Sequence, residues 1–224
     1  WKVSGGTLDV TVRTLRGAGL LTVNNAAFLY TFASVPRTWS LSNVTTTPAD
    51  LTIPTGESLT LVSSNFAAPV TNSGTLTLVG STLTAPVTNN GLLVVRGSSA
   101  LNGVLTTAVG STLRMEGINT SGAAALTVTS GLTNAALIEL TDSVAGYGAS
   151  LTVSGGPLTN APTGTIIART GLNGPRTLTA ALNNQGLVTL ERPLTLNGAS
   201  AVHTNSGTIN IAGGVFTLTQ SGTT

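Results

Sequence analysis

The chain has 224 residues, of which 41% are hydrophobic and only 7% charged, with a formal net charge of +2. Ample apolar content with so little charge is the reverse of a disordered chain. The nine Lys and Arg are scattered singly from Lys2 to Arg192, which argues against a basic groove for nucleic acid, and the lack of cysteine excludes disulfides and thiolate metal sites.

The opening stretch, Trp1-Lys2-Val3-Ser4-Gly5-Gly6, has no signal-peptide pattern. Five of the eight aromatics (Trp1, Phe28, Tyr30, Phe32 and Trp39) lie in the first 39 residues. Residues 1–50 are therefore predicted to be less regular coils or a cap over the first coil's edge.

From residue 51 to 224 one phrase recurs: aliphatic, Thr or Asn, Asn, small, Gly, x, aliphatic, x, aliphatic. It reads Val70-Thr71-Asn72-Ser73-Gly74-Thr75-Leu76-Thr77-Leu78 and returns around Asn89, Asn184 and Asn205, with degenerate copies at Asn134 and Asn160 and Thr107 in the Asn place of a weaker one. Positions 72, 89, 107, 134, 160, 184 and 205 are spaced by 17, 18, 27, 26, 24 and 21 residues. Helical-pair repeats and propeller blades run longer, at roughly 33–50 residues, so a strand-rich period near 20 points to a solenoid. Thr is the commonest residue, and Thr, Val, Ile and Leu favour strands while Gly and Asn favour turns. The predicted fold is all-β: a right-handed parallel β-solenoid of about nine or ten coils of irregular length, on the order of 45 Å long at about 4.8 Å per coil.

Within a coil, Leu76 and Leu78, Leu93 and Val95, Val188 and Leu190, and Ile209 and Ile211 alternate with polar residues and are expected to point inward. Stacked corner residues Asn72, Asn89, Asn134, Asn160, Asn184 and Asn205 are candidates for an inner amide ladder. A second short strand follows each Gly or Ser corner. Its Thr pairs place Thr82/Thr84, Thr127/Thr129, Thr177/Thr179 and Thr217/Thr219, with Thr152/Ser154 and Thr195/Asn197, on one candidate surface-binding face. The chain ends by restarting the corner phrase with Gln220 in the Asn place, so the natural protein is expected to continue.

The Thr-Asn-x-Gly-Thr-Leu phrase, with Leu151-Thr152-Val153-Ser154-Gly155-Gly156, resembles the passenger stems of autotransporters and filamentous-haemagglutinin-type exoproteins over residues 50–224. The resemblance implies export to the bacterial surface or medium, a rigid stalk, and contacts with cells, surfaces or matrix.

Chemistry is sparse. Glu139 and Asp142 are the closest carboxylates. Glu139, between Ile138 and Leu140, is expected to project outward, and the pair reads as two solvated surface charges, although two acids are the minimum for glycoside hydrolysis. His203 is the only histidine, which excludes a multi-histidine metal site, and it occupies the inward place held by Val70 and Val87. Asp occurs only at 9, 50 and 142, so calcium-binding coils are excluded. The expectation is a non-catalytic structural or adhesive element without cofactor or metal. Its partners would be other copies, surface proteins or glycans, with no nucleic acid and no membrane-spanning segment. The alternatives are ice binding by the Thr face and a polysaccharide-processing β-helix enzyme. A transmembrane barrel ranks below these, because its strands are longer and need aromatic girdles at both interfaces.

Overall fold

The computed structural model describes residues 1–11, 15, 19–31, 35, 37–47, 49–144 and 146–222. Among them there is no helix, and all strand pairing is parallel, in a β-solenoid of about ten turns. Each full coil contributes a short corner strand, a strand of a twelve-stranded sheet and a strand of an eight-stranded sheet. In one coil these are Val87–Asn89, Leu92–Arg96 and Ser98–Leu101. The corner strands form two sheets of four, which part between Leu105–Thr107 and Leu132–Asn134.

Register follows the alternation of the sequence. Leu76 lies over Leu59 and under Leu93, and Leu78 lies between Leu61 and Val95. The same two inward rows continue through Leu113 and Met115, Ile138 and Leu140, Ile166 and Ala168, and Val188 and Leu190. All of these are buried in one continuous apolar core. Burial of a column of branched side chains, at ~25 cal/mol per Å² of apolar surface, is what holds the coils together.

The Gly of the corner phrase has a steric cause. At Gly91 the backbone of the preceding coil passes so close that a Cβ would overlap the Gly74 carbonyl oxygen, and at Gly186 it would overlap those of Ala161 and Gly164. Neither glycine needs a left-handed backbone. The requirement is room.

The aromatic N-terminal segment consists of further coils. Lys2–Ser4 and Thr7–Asp9 pair in parallel with Leu20–Leu29, which pairs with Thr38–Thr47, and Thr38 and Trp39 pair with Thr60 and Leu61. Phe28, Tyr30 and Trp39 sit inside, with ring centroids 5.0–5.4 Å apart. Trp1 is 65% exposed, and Phe32 lies outside the described residues. The two long strands turn at Asn25 and Asn43, both left-handed, with the Asn43 amide donating to Asn25 Oδ1 at 2.8 Å.

The segment after the last strand departs from expectation. Gly198 N–H donates to Thr219 O and Ser200 N–H to Ser221 O, so Gln220 stacks beside Gly198, and its amide donates to Ala201 O. It does not stand over the corner asparagines. The sequence phrase misplaces it because a solenoid's Gly-flanked turns look alike at different corners.

Candidate functional site

The corner asparagines form two runs of an amide ladder. In the first, Asn72 Nδ2 donates to Asn89 Oδ1 at 2.8 Å. In the second, Asn134 donates to Asn160 at 2.8 Å, Asn160 to Asn184 at 2.8 Å and Asn184 to Asn205 at 2.6 Å. Thr107 pairs with Asn89 between the runs, and its hydroxyl donates to Thr133 O at 3.4 Å. In all of these asparagines but Asn205, Nδ2 also reaches a backbone carbonyl of the next coil, as Asn160 does to Leu187 O at 3.1 Å. The first five asparagines are fully buried, whereas Asn205 is exposed. Two hydrogens and one oxygen per amide let each asparagine both extend the ladder and tie down a main-chain acceptor.

A second ladder is not evident from the sequence. Ser64, Ser81 and Ser99 are buried at the corner between the two large sheets. Leu41 N–H donates to Ser64 Oγ, Ser64 N–H to Ser81 Oγ and Ser81 N–H to Ser99 Oγ, at 3.0, 3.1 and 3.1 Å. These hydroxyls replace carbonyls as acceptors where the chain turns, and Ser81 Oγ passes the bond on to Leu61 O at 3.0 Å. Serine beside glycine reads as a generic turn; only its recurrence at the spacings 17 and 18 hints at stacking.

The threonines do share the outer face of the eight-stranded sheet, but not as two straight columns. Thr82 aligns with Ala100, then Thr127, Thr152, Thr179, Asn197 and Thr219. Ser150, Thr177, Thr195 and Thr217 form the neighbouring row. Thr84 and Thr129 follow their strands and fall in a third row with Asn102 and Ser154. The Thr-x-Thr pairs therefore shift by one row between the early and late coils, and Thr82 shares a row with Thr179, not with Thr177. The longest unbroken threonine runs on this face are Thr127–Thr152–Thr179 and Thr177–Thr195–Thr217, while the first corner sheet carries a run of four, Thr52–Thr71–Thr88–Thr106.

The carboxylates also differ from expectation. Glu139 lies on the outward side of its strand but is only 5% exposed, and Asp142 points inward and is 3% exposed. They are not two solvated surface charges, and they lie on opposite sides of the sheet. Glu139 sits between Arg114 at 2.5 Å and Arg169 at 2.6 Å, and Arg169 reaches Glu191 at 3.2 Å. Asp142 pairs with Arg176, whose side chain is wholly buried, and accepts the N–H groups of Leu172 and Gly174, both at 2.9 Å. Arg176 in turn donates to the carbonyls of Gly174 and Arg169. This knot pins the enlarged corner of residues 169–175 to the stack. Arginines dispersed in sequence are gathered because stacking brings residues 20–34 positions apart side by side.

Burial by itself pushes both carboxyls up. At Glu139 the hydrogen bonds and charges of Arg169 and Arg114 outweigh it, and at Asp142 those of Arg176 and the two backbone N–H groups do so, leaving both below the usual carboxylate range. Burial, with the charge of Asp50 added, pushes the Tyr30 phenol up to about 12.

His203 is half-buried, and its Nδ1 accepts the Leu182 N–H at 3.2 Å. Among the described residues no group of three or more His, Asp or Glu could hold a metal ion, and no helix is long and apolar enough to cross a membrane. No known family model matches the chain, and no curated protein or solved structure matches it either.

Proposed function

We propose that the chain is a non-catalytic extracellular rod of a bacterial surface protein, serving as a structural or adhesive stalk or as the subunit of a self-assembling filament. The observation that carries this reading is the continuous core with buried amide and hydroxyl ladders running along the stack. Such ladders give every coil the same two neighbours and make length, rather than a cleft, the product of folding. The autotransporter-like corner phrase supports export. The outer face of the eight-stranded sheet, from Thr82 to Thr219, holds Thr, Ser, Ala and Asn and no charge, so like copies meet there without electrostatic repulsion. It offers hydroxyls to glycans or neighbouring rods.

Sedimentation velocity across a wide concentration range tests the filament form. Laterally or axially associated species growing with concentration are expected, and a single monomer boundary at the highest concentration would remove that form. The stalk form is tested by pulling single molecules, where resistance along the whole rod is expected and free extension at low force would exclude it.

The in-register threonine runs favour ice binding as a second reading, checked by thermal hysteresis at high protein concentration. Its absence would eliminate that reading. For a polysaccharide-processing enzyme the Glu139/Asp142 pair offers no support, since the two acids face opposite sides of one strand.

A further inference from the structure

The corner strands pass one backbone bond from coil to coil at their first inward residue. The N–H groups of Leu51, Val70 and Val87 donate to the carbonyls of Pro69, Pro86 and Val104. Those of Leu132 and Leu158 donate to Pro157 and Ala181. The next member of the series differs. Asn183 and Asn184 are in register with Thr204 and Asn205, so the Val202 carbonyl is the acceptor the series calls for. The Leu182 N–H donates instead to the imidazole Nδ1 of His203, at 3.2 Å.

An imidazole nitrogen accepts a hydrogen bond only while it carries a lone pair, which fixes the neutral ring with its proton on Nε2. Nε2 is buried, has no hydrogen-bond partner among the described residues, and faces the backbone of Gly198, where an added Cβ would lie 2.9 Å from it. Beside the ring is a cavity of about 190 Å³. Leu196, Phe216 and Leu218 line it from the eight-stranded sheet, Ile209 from the long sheet, and Asn184 and Asn205 from the corner. None of these groups titrates, so no carboxylate stands ready to neutralise a charged ring.

We propose that His203 is a proton-sensitive latch between the coil that begins at Leu182 and the coil that begins at His203. With the ring neutral, the latch closes on Leu182. With the ring protonated, an Nδ1–H faces the Leu182 N–H, two donors oppose each other, and a cation sits against an apolar cavity. The bond therefore holds while the ring is neutral and is lost once Nδ1 takes a proton. Acidification loosens the 203–222 coil and leaves the carbonyl-accepted corners upstream untouched.

The test is NMR on the intact chain at pH 8 and pH 5, reading the tautomer of His203 and the exchange protection of the Leu182 amide, with Leu158 as the control. At pH 8 we expect an unprotonated Nδ1. On acidification the Leu182 protection factor should fall about tenfold, the scale of one lost hydrogen bond with its donor left unsatisfied, while Leu158 keeps its protection. His203→Leu, which supplies the side chain that Leu182 itself places in this row, should abolish the pH dependence. An Nδ1–H tautomer at pH 8, equal Leu182 protection at both pH values, or the same fall in His203→Leu would each overturn the proposal. The first two readouts need no variant.

Discussion

Asn160→Ala probes the amide ladder at its most connected point. Asn160 is fully buried, accepts from Asn134 at 2.8 Å, and donates to Asn184 at 2.8 Å and Leu187 O at 3.1 Å. The Asn134 amide keeps bonds to Ala136 O and Thr165 O after the substitution. Asn184 Oδ1 loses the only donor it has among the described residues and stays in a dry corner. Three bonds at about 1 kcal/mol net each, with a further ~1–3 kcal/mol for the stranded acceptor, give a cost of about 4–6 kcal/mol. Asn205→Ala is the matched control. Asn205 is exposed and takes one bond, from Asn184 at 2.6 Å, which water can replace, so about 1 kcal/mol or less is expected. Guanidinium unfolding followed by circular dichroism gives the two costs. Amide exchange along the chain should accompany it, because a stack of coils can unfold in parts. Equal costs for the two variants, within about 0.5 kcal/mol, would refute the idea that buried amide pairing locks the coils.

Asp142→Ala leaves the wholly buried Arg176 without its counter-ion and should cost ~3–5 kcal/mol, while Asp142→Leu combined with Arg176→Met should recover most of that loss; both are read by thermal melting. Because Asp142 and Glu139 are held below the usual carboxylate range, their contribution is complete above the unfolded carboxyl value of about 4 and is lost as pH falls through the lower folded values. The acid limb of the stability curve should therefore flatten in Asp142→Ala. Gly186→Ala forces the backbone off the carbonyls of Ala161 and Gly164 and should destabilise by up to about 3 kcal/mol. Gly110→Ala, at a left-handed turn with open space around it, should cost only about 1 kcal/mol. A reversed order in the melting temperatures would contradict the steric account of the corner glycine.

The repeat phrase is legible because each of its letters has a separate physical task. Asn72 supplies an amide to the next coil, Gly91 makes room for the carbonyl of the one before, and Leu93 and Val95 fill the interior. Those tasks are local, so they leave a local pattern. Contacts that depend on the length of the intervening coil leave none. Asp142 and Arg176 meet across 34 residues, and only the count of residues in two loops decides that they do. The phase of the threonine rows is hidden for the same reason: loop length puts Thr177 over Ser150, in the row beside the one that holds Thr152. Serine at 64, 81 and 99 was open to a ladder reading, but a hydroxyl that accepts from the next coil looks in sequence like any turn serine. At His203 the place was readable and the hydrogen bond was not, since nothing in the sequence says that a side chain will displace a carbonyl.

The irregular coils show how a solenoid keeps register when its repeats differ in length. Where coils are short and equal, between residues 58 and 101, the corner joining the two large sheets is tight enough for Ser64, Ser81 and Ser99 to hand bonds from one level to the next. From Gly117 onward that corner swells, with residues 118–123, 143–144 with 146–148, and 169–175 looping out on successive levels, and the serine ladder does not continue across it. The ion pairs take over on the same levels: Arg96 with Glu116, Arg114 with Glu139, Arg169 with Glu139 and Glu191, and Asp142 with Arg176. Long side chains reach across a variable distance that a hydroxyl cannot, and a carboxylate that accepts backbone N–H groups fixes the loop as well as the level. Eight of the chain's sixteen charged residues thus form ion pairs from the end of the short ladder onward, with Arg37 and Glu57 paired at its start, while the asparagine corner, whose spacing is unaffected by those loops, carries its own ladder on to Asn205.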